Sequence, residues 1–126
     1  LQRILPIWYL FILNIFFKKG MSESNWSECE KKGAQEAFKK AYNREIKTLI
    51  EEVKQKGSEI SEIDGVWQLH DLLSTRRHDI DGKYDYRYSS LIFVFARLLK
   101  EGWLNQEELQ FLERDKLAKI TALSRM

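Results

Sequence analysis

The chain has 126 residues, one cysteine and 21 basic against 19 acidic side chains, which allows one domain with a modest core and no intramolecular disulfide. Charges of both signs are interspersed, so there is no basic footprint for nucleic acid. The lone thiol, Cys29, suits a reducing compartment.

Residues 1–20 stand apart. They contain LPIWYLFILNIFF followed by Lys18 and Lys19, with no acidic residue, and fall short of the roughly 20 apolar residues that span a bilayer. No small-residue cleavage pattern follows them. They are read as upstream translation, with Met21 as the start of the protein and a short membrane-associating tail as the alternative. Without Arg3, Lys18 and Lys19 the basic count falls from 21 to 18 against 19 acidic, a net charge of −1 for residues 21–126. The basic isoelectric point therefore resides in this segment. At most peripheral membrane association is expected.

The body, residues 21–126, reads as one all-α domain, a long N-terminal helical stem followed by a compact helical head. The first helix starts at Ser27-Glu28-Cys29-Glu30, a capping box in which hydroxyl and carboxylate satisfy free backbone donors. Its apolar stripe runs Phe38, Tyr42, Ile46, Leu49, Val53 and on to Ile60 in steps near a heptad seam. From residue 27 to 60 such a helix approaches about 50 Å, against roughly 30 Å for a domain of this size. Part of the stripe therefore calls for a cover from outside the subunit. A homodimer is the economical answer, with Ile46, Leu49, Ile50, Val53 and Val66 as its interface. Gly57 marks a point where the helix weakens or divides. The Lys and Arg residues between 31 and 47 alternate with Glu and read as a solvated face with i,i+4 pairing.

Asp64-Gly65 is expected to turn the chain into a second helix, closed by Asp81-Gly82. Between them Val66, Leu69, Leu72, Leu73 and Ile80 make a core stripe, while Trp67, His70, Asp71, Ser74, Arg77 and His78 share the opposite face. A solvated face is usually Glu, Lys and Gln, whereas Trp and Arg are the types enriched at binding hot spots. Trp67 either meets a partner or covers a neighbouring helix of its own subunit. The repeated His-Asp pairs suggest metal ligands, yet His70 and His78 lie about 12 Å apart on a straight helix, too far for one ion. Ser74, His70 and Asp71 supply triad residue types without a triad's geometry. No cofactor motif is present, and no catalysis is expected.

A third helix, about residues 85–100, contains LIFVFARLL, apolar nearly all round and expected at the centre of the core. Gly102 is its stop. Asn105 caps a last helix with Leu109, Leu112, Ile120 and Leu123 on its buried side. Tyr84, Tyr86 and Tyr88 are read as packing around the head.

The run Trp67-Gln68-Leu69-His70-Asp71-Leu72-Leu73, then Arg77-His78, then Ile80-Asp81-Gly82-Lys83-Tyr84-Asp85 with Arg87, resembles the fluorescence recovery proteins of cyanobacteria. The resemblance continues through Leu91-Ile92-Phe93-Val94-Phe95-Ala96, Glu101-Gly102 and Asp115-Lys116 and covers roughly residues 38–125. It implies a non-enzymatic, cofactor-free all-α dimer in the cytoplasm near the thylakoid membrane and its phycobilisomes. Such proteins bind the C-terminal domain of the photoactivated red orange carotenoid protein. They hasten its return to the orange form and its release from the antenna, so that fluorescence recovers. It makes Trp67, His70, Asp71 and Arg77 partner contacts on the stem, and Phe93 and Lys119 contacts from the head, with burial in the core as the competing reading of Phe93. A helical adaptor serving a different protein is the alternative function.

Overall fold

The computed structural model describes residues 25–126, so the reading of residues 1–20 falls outside them. Four α-helices follow one another: α1 (Glu28–Ser58), α2 (Ile63–Lys83), α3 (Leu91–Lys100) and α4 (Arg114–Ser124), with a 3-10 turn at Gln106–Leu109. The described residues contain no strand, and the fold is all-α.

Helix α1 begins as its sequence dictates. Ser27 Oγ accepts from the Glu30 N–H at 3.1 Å, and Glu30 Oε1 accepts from the Ser27 N–H at 3.0 Å. Glu30 is also almost fully buried, where Oε2 accepts the N–H of Glu113 and Lys116 donates to Oε1 at 3.1 Å. The cap thus pins the start of α1 to the start of α4. The helix then runs unbroken through Gly57 for 31 residues, about 46 Å.

The head core packs against the first half of α1. Ala34, Ala37, Phe38 and Ala41 meet Tyr84, Tyr86, Leu91, Phe95, Leu98, Leu109 and Ile120. Gly33 is required there, because a Cβ would stand 2.4–2.8 Å from the Phe111 ring. Ile46 and Leu49 still pack against the edge of this core, and no residue between Glu45 and Ile80 is fully buried.

Several expectations are corrected. The stem turns at residues 59–62, and Asp64-Gly65 already belongs to α2, where an acidic side chain in the first turn complements the helix dipole. Asp81-Gly82 does not end α2, which continues to Lys83. The ammonium of Lys83 is drawn inward to Glu45 at 2.7 Å and Glu101 at 2.6 Å. The third helix starts at Leu91 rather than near Asp85. Residues 84–88 are non-helical, and Tyr84 and Tyr86, two apart, are buried, as an alternating segment requires. Both place ring edges against Phe38, at centroid separations of 5.3 and 5.0 Å.

Helix α3 is not apolar all round in effect, since Phe93 is 63% exposed while Leu91, Val94, Phe95 and Leu98 are buried. Gly102 ends it with φ +84°. Its N–H donates to Leu99 at 3.2 Å and that of Trp103 to Leu98 at 2.9 Å, a Schellman stop. The last expected helix is two pieces. Asn105 caps the 3-10 turn, and α4 starts afresh after Glu113. Lys40 and Arg44 do not pair within α1. Both reach Glu108 in the head, Arg44 with two hydrogen bonds of 2.7 Å.

Candidate functional site

The face singled out on α2 is built by helical periodicity alone. Trp67, His70, Asp71, Ser74, Arg77 and His78 are all exposed along it, and Trp67 is 57% exposed. The reading in which Trp67 covers a helix of its own subunit is therefore wrong. The indole stands edge-on to His70, centroids 6.4 Å apart, and His70 Nδ1 lies 3.3 Å from Asp71 Oδ1. Ile63, four residues before Trp67, lies on the same face and is 60% exposed. Sequence reasoning missed it because the helix was begun after Asp64-Gly65. The i,i+4 spacing to Trp67 was the available signal.

The rotation of this face is set by the neighbour of one of its own members. Arg76 donates to Glu52 of α1 at 2.8 and 3.2 Å, a two-pronged pair between the stem helices. Arg77, 100° further round, points away from α1 and is 3.7 Å from Asp81. The apolar side of α2 is less covered than a core stripe should be. Ile80 is buried, Leu69, Leu72 and Leu73 are half-buried, and Val66 is exposed. Ile46, Leu49 and Val53 are half-buried on α1 and Ile50 is exposed. At the far end of the stem a cleft of about 550 Å³ opens between Ile60, Gly65, Leu69 and Leu72. The head contributes the exposed Phe93 on α3 and the exposed Lys119 on α4. The stem face and these two head residues belong to different elements.

Electrostatics divide the molecule into a fixed region and an open one. Asp79 is held below the usual carboxylate range chiefly by a hydrogen bond from Arg97. Burial alone would raise the Glu101 carboxyl, yet hydrogen bonds from Lys83 and Arg97 hold it low. The Arg44 guanidinium brings Glu108 down to about 2. These groups tie stem to head. Among the described residues no group of three or more His, Cys, Asp or Glu is placed to hold a metal ion, and no helix is long and apolar enough to cross a membrane.

The described chain matches the model of the family described as photoprotection regulator fluorescence recovery protein over residues 26–124. The chain belongs to that family. It is 52% identical over 105 residues to the fluorescence recovery protein of Synechocystis sp. (strain ATCC 27184 / PCC 6803 / Kazusa), an alignment covering 83% of this chain and 96% of the relative. Its fold is similar to the solved fluorescence recovery protein of Fremyella diplosiphon, with TM-score 0.79 and 56% identity over 80% of this chain and 99% of that one. The Synechocystis structure gives the same TM-score at 53% identity and the same coverage. The family is one of photoprotection regulators.

Proposed function

We propose that this chain is a non-enzymatic regulator that binds the C-terminal domain of the photoactivated red orange carotenoid protein. Bound there, it speeds the return to the orange form and detachment from the phycobilisome, restoring antenna fluorescence. The observation that carries this reading is the exposed Trp67 in the middle of a recognition face, in a family of photoprotection regulators. An indole left in water on a helix is accounted for by a partner that buries it.

Acceleration requires the regulator to bind the path between the two carotenoid-protein states better than it binds the red state. A rigid α2 face with Trp67 and Arg77 as anchors, and His70 and Asp71 fixing orientation, provides a preorganised template. The head residues Phe93 and Lys119 form a second contact, and two contacts on separated domains of the partner raise their effective concentration. The regulator works as a homodimer in the cytoplasm beside the thylakoid membrane. The uncovered apolar residues Ile50 and Val66 and the half-buried Ile46, Leu49 and Val53 support a second copy on the stem. The body of the chain, residues 21–126, acts as one domain.

The test is the dark return of purified red orange carotenoid protein to orange, followed by absorbance with and without this protein. A dose-dependent acceleration is expected. No acceleration by a folded dimer would assign the chain to another partner.

A further inference from the structure

We propose that Asp79, Lys83, Arg97 and Glu101 form a strut holding the Trp67 face of α2 at a fixed separation from Phe93 of α3. Asp79 and Arg97 are then positioning residues for the return of the partner to orange, an assignment that rests on both surfaces touching that partner. The four charges close a ring of alternating sign across the two helices. Arg97 donates from Nη2 to Asp79 at 2.7 Å and from Nε to Glu101 at 2.7 Å. Lys83 Nζ donates to Glu101 at 2.6 Å and lies 3.8 Å from Asp79. Each helix supplies one acid and one base four residues apart, on one face and about one turn along it.

Two side-by-side ties fix an angle where a single tie would leave a pivot. Apolar packing leaves that angle open. Of the 21 residues of α2 only Ile80 and Lys83 are buried, so most of a helix roughly 31 Å long stands clear of the head. The bond from Arg97 Nε to Glu101 also orients the guanidinium plane, so that its Nη2 edge faces Asp79.

The ring lies between the two surfaces. Asp79 is two residues beyond Arg77 and twelve beyond Trp67, about 18 Å along α2. Phe93 is one turn before Arg97 on the same side of α3. Folding stability is a weak account of the outer pair, because Asp79 and Arg97 each leave 43% of the side chain exposed and such pairs contribute little. A rigid spacing matters elsewhere, in the step that brings the separated domains of the partner together. With the strut in place, the two contacts are already oriented before that step rather than ordered during it.

Titrating photoactivated orange carotenoid protein with this protein gives a half-saturating concentration and a limiting acceleration of the dark return. Asp79→Asn and Arg97→Gln, with helicity checked by circular dichroism, should each lower the limiting acceleration roughly two- to fivefold. The half-saturating concentration should hold, because the Trp67 face that grips the red form is untouched. The double variant should be no worse than either single one. Glu108→Gln serves as the control, since it removes a tie between α1 and the head and should leave the limiting acceleration as it was. Unchanged acceleration in both single variants, an equal fall in Glu108→Gln, or a double variant whose loss is the product of the singles overturns the proposal. So does a raised half-saturating concentration at full limiting acceleration, which would assign the pair to grip. Failure of the underlying reading looks different, since Trp67→Ala and Phe93→Ala would then both accelerate like the parent protein.

Discussion

Lys83 Nζ lies 2.7 Å from Glu45 Oε2, with 1% of the lysine side chain and 11% of the glutamate side chain exposed. The same ammonium reaches Glu101 at 2.6 Å, and the hydroxyl of Tyr84 donates to the other oxygen of Glu45 at 2.7 Å. One cation therefore joins α1, the end of α2 and the end of α3. Burial and the neighbouring Glu45 push the Tyr84 phenol well above its ordinary range, so it remains a donor. Among the described residues no buried side-chain polar atom lacks a partner.

Replacing Lys83 by Met would leave Glu45 buried without its cation and close to Glu101. Breaking such a pair costs about 3–5 kcal/mol, and urea unfolding should show a loss of that order. Lys83→Met combined with Glu45→Gln should recover a measurable part of it. A single variant as stable as the parent would mean that the cluster contributes little.

Gly33→Ala places a methyl group against the Phe111 ring, which at 2.4–2.8 Å must move. Overpacking of this kind costs about 1–3 kcal/mol. Thermal unfolding should show the loss, and Phe111→Leu in the same chain should relieve part of it, because the clash is with that ring.

Acid should loosen the stem from the head. Hydrogen bonding from Arg44 brings Glu108 from 4.5 down to about 2, and Asp79 is shifted the same way by Arg97. Because the folded value is depressed, the unfolded chain takes up the proton first as pH falls. The contribution is whole above about pH 4.5 and is lost as pH falls toward 2. The urea midpoint should decline across that window, and Glu108→Gln should flatten the decline.

Trp67→Ala should separate binding from folding. The indole is exposed, so stability should change by no more than about 0.5 kcal/mol. Loss of a central anchor should cost about 2 kcal/mol or more in partner affinity, read as lost acceleration of the red-to-orange return. Unchanged acceleration would remove Trp67 from the partner surface.

A charge on the stem seam tests the dimer. Ile50→Glu or Val53→Glu should yield monomers by light scattering with helicity retained, since Ile50 is exposed and Val53 only half-buried in the protomer. A persisting dimer would place the interface elsewhere.

The sequence determined what depends on residues a few places apart. Ser27 and Glu30 announce the start of α1, Gly102 the end of α3, and a 3.6-residue period puts Trp67, His70, Asp71 and Arg77 on one face. Those signals are local, because a cap or a helical face is completed within one to three turns. The shared exposed face of α2 and the family resemblance were legible for the same reason. Tertiary structure decided what depends on partners far along the chain. Lys83, the last residue of α2, turns inward because Glu45, 38 residues away, accepts a hydrogen bond from its ammonium. Arg44 leaves its own helix for Glu108, 64 residues on. Phe93, in a run of apolar residues, is outside because Leu91, Val94, Phe95 and Leu98 already take the side of α3 that meets the core. An apolar pattern says how much surface asks to be covered, and only packing says which side is.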